Sequence, residues 1–208
     1  YFLVLGLFMG SMYIVLFPPN TAPDEHSHIA TAYYDANKIL FRDGVDEEGY
    51  VLVRKTDAQI QDKMAISLAD ASYYYNQLLK KGGQEQAALN RGPLAAPFIA
   101  HLPQAVGIVI GGLFHANGMI TLYLGKITAL FFYLLCVFWA VRFMPWGKTV
   151  MAVIALFPMS LEIAASYSYD CTVNALSFLF IGYTMYLIYE KERVTWKDYA
   201  FLTIVGMW

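Results

Sequence analysis

The 208 residues are 58% hydrophobic and 14% charged, with a formal net charge of -2 and a mean hydropathy of +0.46. Ordinary soluble domains carry roughly one-quarter charged residues, so this balance predicts a polytopic membrane protein and argues against a basic nucleic-acid surface. Two cysteines, Cys136 inside an apolar run and Cys171 beside an acid, provide neither a disulfide framework nor a Cys/His metal spacing.

In chain order, Tyr1 to Phe17 carries no charged residue and reads as a first transmembrane helix, residues 1–17. It lacks a basic n-region and a small-residue cleavage site, which favours an anchor over a signal peptide. The absent initiator Met, and the apolar segment Tyr199–Trp208 that stops part-way, lead us to expect a longer parent chain. Next comes Pro18-Pro19-Asn20-Thr21-Ala22-Pro23-Asp24-Glu25-His26-Ser27-His28. These prolines cannot continue a helix, so Asp24 and Glu25 should lie at or just beyond the lipid–water boundary. An Asp before a helix is also a common N-cap, which is the bland reading of Asp24.

Ile29 to Phe41 reads as a short amphipathic helix on the membrane surface, with Tyr33, Ala36, Ile39 and Leu40 opposite Asp35 and Lys38. Residues 42–91 are polar and read as one large aqueous loop. Within it, Asp57 to Leu79 has helical character, with Ile60, Met64, Leu68 and the cluster Tyr73-Tyr74-Tyr75. Pro93 to His115 is apolar but interrupted by Pro97 and Pro103, weakened by Gly107, Gly111 and Gly112, and contains His101 and Gln104. Met119–Val141 should span, with Lys126 inside it. Thr149–Tyr169, with Pro158 and Glu162, and Cys171–Tyr189 should be two more spans, and a truncated one follows Trp196-Lys197-Asp198. The expected fold is therefore all-α and polytopic. An extracytoplasmic loop with amphipathic and interfacial helices occupies 18–118, and transmembrane helices two to five occupy 119–208.

Charge bias decides the doubtful segment. If Pro93–His115 crossed, Arg142, Lys148, Lys191, Arg193 and Lys197 would all fall outside, against the positive-inside rule. If it lies in the interface or re-enters on the outer side, all five are cytoplasmic, and this is the arrangement we expect. It also brings Asp170 to the face that bears Asp24 and Glu25.

Glu162, Ser166 and Asp170 follow an i, i+4, i+8 spacing and share one helix face within about 80°. An ionisable residue inside an apolar span costs about 2.5–3.5 kcal/mol on insertion scales. Glu162 and Lys126 are such residues, expected either to neutralise each other or to meet a lipid headgroup. Asp24, Glu25, Asp170, Lys126 and Glu162 thus gather at one boundary as an interfacial active site. A carboxylate there can deprotonate an acceptor hydroxyl or hold a divalent cation, while a lysine contacts a lipid phosphate. His26 and His28 form a weak His-x-His signal, more often solvated or capping than metal-binding.

The order Pro-x-x-x-Pro-Asp-Glu-x-x-His, then His101-Leu102-Pro103-Gln104-Ala105-Val106-Gly107, Leu122-Tyr123-Leu124-Gly125-Lys126, Phe157-Pro158-Met159 and Ser166-Tyr167-Ser168-Tyr169-Asp170 resembles a family of bacterial predicted membrane proteins, a domain of unknown function in the GT-C superfamily of membrane glycosyltransferases. The resemblance implies transfer of a sugar from a polyprenyl-phosphate-linked donor to an extracytoplasmic acceptor, in cell-envelope glycan synthesis at the bacterial cytoplasmic membrane. It implies catalytic roles for Asp24 and Asp170, and on our reading of the turn Glu25 is a catalytic acid that supports Asp24. Asp24 and Asp170 would also be the ligands of any divalent cation, Mg or Mn. The candidate substrate contacts are Lys126, His28, His101, Gln104 and Glu162. Two departures stand out: Lys126 replaces an arginine frequent in relatives, and His101-Leu102-Pro103-Gln104 replaces a Lys-Pro-Pro-type phosphate segment. The alternatives are a transporter or flippase with Glu162 and Lys126 lining a polar path, and a noncatalytic membrane assembly subunit.

Overall fold

The computed structural model describes residues 1–61, 68–83 and 85–207, so Met64 of the expected loop helix lies outside the described residues. The first apolar run forms α1 (Phe2–Leu16) and stops where Pro18 and Pro19 cannot donate to a further turn. α2 (Glu25–Ile39) follows. A two-stranded antiparallel sheet then pairs β1 (Leu52–Arg54) with β2 (Gln86–Ala88), in register Leu52 to Ala88, with α3 (Lys55–Gln61) and α4 (Leu68–Gln77) between them. A 3₁₀ turn, Phe98–His101, leads into α5 (Leu102–Leu113). The remainder is α6 (Gly118–Phe143), α7 (Lys148–Ala155), α8 (Pro158–Ala164), α9 (Asp170–Tyr189) and α10 (Trp196–Gly206).

α6 is the axis against which α1, α5 and α9 pack. Its 26 residues rise about 39 Å, and the 20 of α9 about 30 Å, against a hydrocarbon thickness of roughly 30 Å. These two helices are long and apolar enough to cross a membrane. They run in the same direction, since the Cys171 thiol lies 3.5 Å from the Ala129 carbonyl and Gly182 packs on Ala140. α1 runs the other way: Gly10 faces Leu130 and Gly6 faces Leu134, small residues that admit the neighbouring leucines.

The expected single span Thr149–Tyr169 is two short helices, α7 and α8, that carry the chain back along α6. The break is local: Phe157 is extended (φ -59°, ψ 145°) and Pro158 occupies the first turn of α8, as the clash of a proline ring with the preceding residue dictates. Tyr133 holds the returning segment by donating to the Ala155 carbonyl at 3.0 Å. At the end of the bundle where α6 and α9 finish lie Arg142, Lys148, Lys191, Arg193 and Lys197. Exposed Trp139, Trp146, Tyr189 and Trp196 flank them, as in an interfacial aromatic belt.

At the opposite end a second core joins Ile29, Tyr33, Val51, Val53, Leu89, Ile108 and Leu122. Three expectations are corrected here. α2 is not a helix lying free on the surface: α5 and β1 pack on it and Asp35 is only 3% exposed, while Lys38 remains exposed. The stretch 42–91 is not simply a polar loop, and the fold is not purely α-helical. Val51-Leu52-Val53 is too short a run to be told from a helical fragment by periodicity, yet Leu52 and Val53 enter β1, and Val51 and Val53 contribute to this core. Finally, Gly107 and Gly111 do not weaken a span. They let α5 touch the Leu124 carbonyl and the Thr121 side chain of α6.

The segment Pro93–His115 begins and ends on the same body. Val51 N–H donates to the Arg91 carbonyl at 3.0 Å, and the Arg54 guanidinium donates to the Ala116 carbonyl at 2.6 Å. α5 rises only about 18 Å. Arg54 also pairs with buried Asp57 at 2.8 Å, and Asp57 accepts from Tyr33 at 2.8 Å, locking the sheet to α2 and α6.

Candidate active site

The proline turn after α1 closes on itself: the Thr21 hydroxyl donates to the Pro18 carbonyl at 2.6 Å. It then delivers Asp24 in a left-handed conformation (φ 52°, ψ 11°) at the N-cap position of α2. The capping reading fails in its essential part, because the Asp24 side chain makes no cap hydrogen bond. Glu25 does the local work, its Oε2 accepting from the backbone N–H groups of Thr21 and Ala22 at 3.2 and 3.3 Å. Asp24 is left exposed.

Glu25 itself is a buried hub. Its Oε1 lies 3.2 Å from Lys126 Nζ and accepts from the Tyr167 N–H at 3.1 Å, with the Glu25 and Lys126 side chains 0% and 1% exposed. Lys126 also donates to the Phe17 carbonyl at 2.8 Å. The expected partner of Lys126 was Glu162; the partner is Glu25, and Glu162 is exposed on α8 across a narrow cleft. α8 turns Leu161 and Ala164 into the core and leaves Glu162 on its exposed side, whereas the proline turn folds Glu25 directly over α6. The ammonium is shut off from solvent and from any headgroup.

Beside this clamp, His28 of α2 meets His101 at the end of the 3₁₀ turn, Nδ1 to Nε2 at 3.0 Å. The Tyr169 ring packs edge-on to both, with centroids 5.2 and 6.1 Å away. Burial pushes the His28 pKa down, opposed by the negative charges of Asp170, Asp24 and Glu25. Burial and then the neighbouring His28 push His101 down to about 4, so it is neutral at pH 7. Gln104, one turn into α5 and fully buried, donates to the Ser168 carbonyl at 3.2 Å. Asp170 opens α9 with an exposed carboxylate that accepts from the Ser168 hydroxyl at 3.1 Å.

The fold thus brings together Asp24, Glu25, His28, His101, Gln104, Lys126 and Asp170 from four separate segments, with Glu162 at the edge. Among the described residues no group of three or more His, Cys, Asp or Glu side chains is placed to hold a metal ion. A cation between Asp24 and Asp170 would need ligands from water or substrate. An apolar groove of about 380 Å³ lies next to this cluster, lined by Ile99, Leu102, Val106, Phe131, Leu135 and Leu176. Sequence reasoning missed Tyr167 and Tyr169 as site residues, although both stand in the quoted Ser-Tyr-Ser-Tyr-Asp run. Tyr167 is fully buried and donates to the Leu122 carbonyl at 2.9 Å, while its backbone holds Glu25.

A family model described as a predicted membrane protein, DUF2142, matches residues 7–207. The chain belongs to this family. No curated protein and no solved structure matches it. In this DUF2142 chain the proline turn and the Ser-Tyr-Ser-Tyr-Asp run, 142 residues apart at Glu25 and Tyr167, meet in one hydrogen bond. Both fall inside the matched region.

Proposed function

We propose that this protein is a GT-C-type membrane glycosyltransferase. It would move a sugar from a polyprenyl-phosphate-linked donor to an acceptor hydroxyl at the extracytoplasmic face of a bacterial cytoplasmic membrane, in cell-envelope glycan synthesis. The observation that carries the reading is Asp24, an exposed carboxylate outside the hydrogen-bonded clamp, held in a left-handed backbone conformation beside Asp170 and the histidine pair. A site built only for stability would use that carboxylate as a cap. Asp24 serves as general base or as ligand of a divalent cation, with Asp170 as the second acid. Glu25 and Lys126 position the turn, Gln104 holds the loop before Asp170 through the Ser168 carbonyl, and His28 contacts the head of the donor. The apolar groove next to them suits the hydrocarbon chain of a lipid carrier. The five basic residues at the other end of the bundle favour a cytoplasmic assignment for that end.

The transporter alternative has no comparable support, because the lysine it requires is sealed against Glu25. The test is Asp24→Asn in the full protein, reconstituted with polyprenyl-phosphate-linked sugars. Loss of transfer with unchanged donor binding is expected. Undiminished transfer removes the proposal.

A further inference from the structure

We infer that His101 is a positioning residue: it donates its Nε2–H to Nδ1 of His28 and so fixes the remaining proton of His28 on Nε2, making His28 a hydrogen-bond donor to the ligand and not a base. The facing atoms are His28 Nδ1 and His101 Nε2, 3.0 Å apart, and one proton lies between them. His101 is fully buried, and its other nitrogen, Nδ1, has no hydrogen-bond partner among the described residues. If His28 were the donor, a neutral His101 would have to carry its proton on Nδ1, burying an N–H group with nothing to accept it. Orphaned buried donors are the rarer and costlier kind of unsatisfied group. With the proton on Nε2, His101 leaves only an unused acceptor. A doubly protonated His101 is opposed by its burial and by the adjacent imidazole.

A consequence for chemistry rests on the glycosyl-transfer reading. With Nδ1 of His28 occupied and Nε2 protonated, the base must be a carboxylate, and Asp24 takes the proton of the acceptor hydroxyl. The acceptor oxygen bonds to the anomeric carbon as the bond from that carbon to the phosphate oxygen breaks. The electron pair leaves on the phosphate, whose oxygen receives the hydrogen bond from His28 Nε2–H, and Asp24 returns its proton to solvent.

The tautomer can be read without any transfer assay, by nitrogen NMR of the histidine-labelled protein in lipid bilayers at pH 7. Signals are assigned by their loss in single His→Gln variants. In the wild type, His28 and His101 should both be neutral with the proton on Nε2, in roughly tenfold excess over the other tautomer. His101→Gln should keep the His28 tautomer, because the glutamine amide can still donate, while His101→Leu should leave His28 as a mixture. A wild-type His28 with its proton on Nδ1 overturns the inference, as does an unchanged tautomer ratio in folded His101→Leu. If that variant does not fold, the wild-type spectrum and His101→Gln decide alone. An intact Nε2–H tautomer in a protein that transfers no sugar would sink the proposed function and leave this assignment standing.

Discussion

Glu25 Oε1 and Lys126 Nζ, 101 residues apart in sequence, lie 3.2 Å from each other with both side chains buried. This pair joins the proline turn to the axial helix and, through the Phe17 carbonyl and the Tyr167 N–H, to α1 and the loop before α9. Its role is geometric, since a buried ion pair adds little net stability over an apolar replacement but fixes one arrangement of its neighbours. Glu25→Ala should destabilise the protein by about 3–5 kcal/mol by stranding the ammonium. Glu25→Leu combined with Lys126→Met should recover much of that loss. Thermal unfolding in detergent compares the two, and equal losses would mean that the pair does not act as a unit.

Asp24 should behave oppositely. Because its carboxylate makes no cap bond, Asp24→Asn should shift stability by less than about 0.5 kcal/mol. Sugar transfer should fall by roughly 10²-fold or more. A large drop in melting temperature would instead reveal a structural role.

Acid stability follows His101. Its folded pKa, about 4, is below the unfolded value near 6.5, so the unfolded chain binds the extra proton between those values. The contribution is complete above pH 6.5 and is lost as pH falls toward 4. His101→Gln should flatten the unfolding profile across that window, and an unaltered profile would count against the buried neutral imidazole.

Asp35 has the reverse sign. Burial raises its pKa to about 6, and its Oδ2 has no hydrogen-bond partner among the described residues. Stability from this group is full below pH 3.8 and is lost as pH rises through 6. Asp35→Asn should therefore stabilise the fold at pH 7.5 by about 1–2 kcal/mol after allowance for solvent screening and do little at pH 4. Titrating the melting temperature of the variant against wild type measures both arms.

Two glycines supply a matched pair. A methyl at Gly125 would overlap the Tyr167 hydroxyl, which is fixed on the Leu122 carbonyl, whereas one at Gly112 would meet nothing within 4 Å. Gly125→Ala should cost about 1–3 kcal/mol. Gly112→Ala, in the last turn of α5 and without a positive φ, should gain about 0.5 kcal/mol. Equal effects from the two substitutions would contradict the packing described.

The sequence by itself determined the features that depend on local chemistry. Apolar runs long enough to cross hydrocarbon set α6 and α9. Consecutive prolines ended α1 and put Asp24 and Glu25 at a helix entrance, and Pro97 and Pro103 divided Pro93–His115 into a 3₁₀ turn and a 12-residue α5. The quoted motifs also contained most of the residues that the fold assembles. Only the tertiary structure decided partners and burial, because those depend on which segments meet. Periodicity around Lys126 is blind to whether Glu162, 36 positions ahead, or Glu25, 101 positions behind, will face it. Helical spacing placed Asp35 opposite the apolar stripe of α2, on the side expected to face water, yet the fold leaves it only 3% exposed. The meeting of His28 and His101 depends on α2 and the 3₁₀ turn docking side by side, a contact across 73 residues that leaves no periodic trace in either segment. Local geometry is encoded locally, whereas charge pairing and tautomer choice arise from packing, where each group's surroundings come from distant parts of the chain.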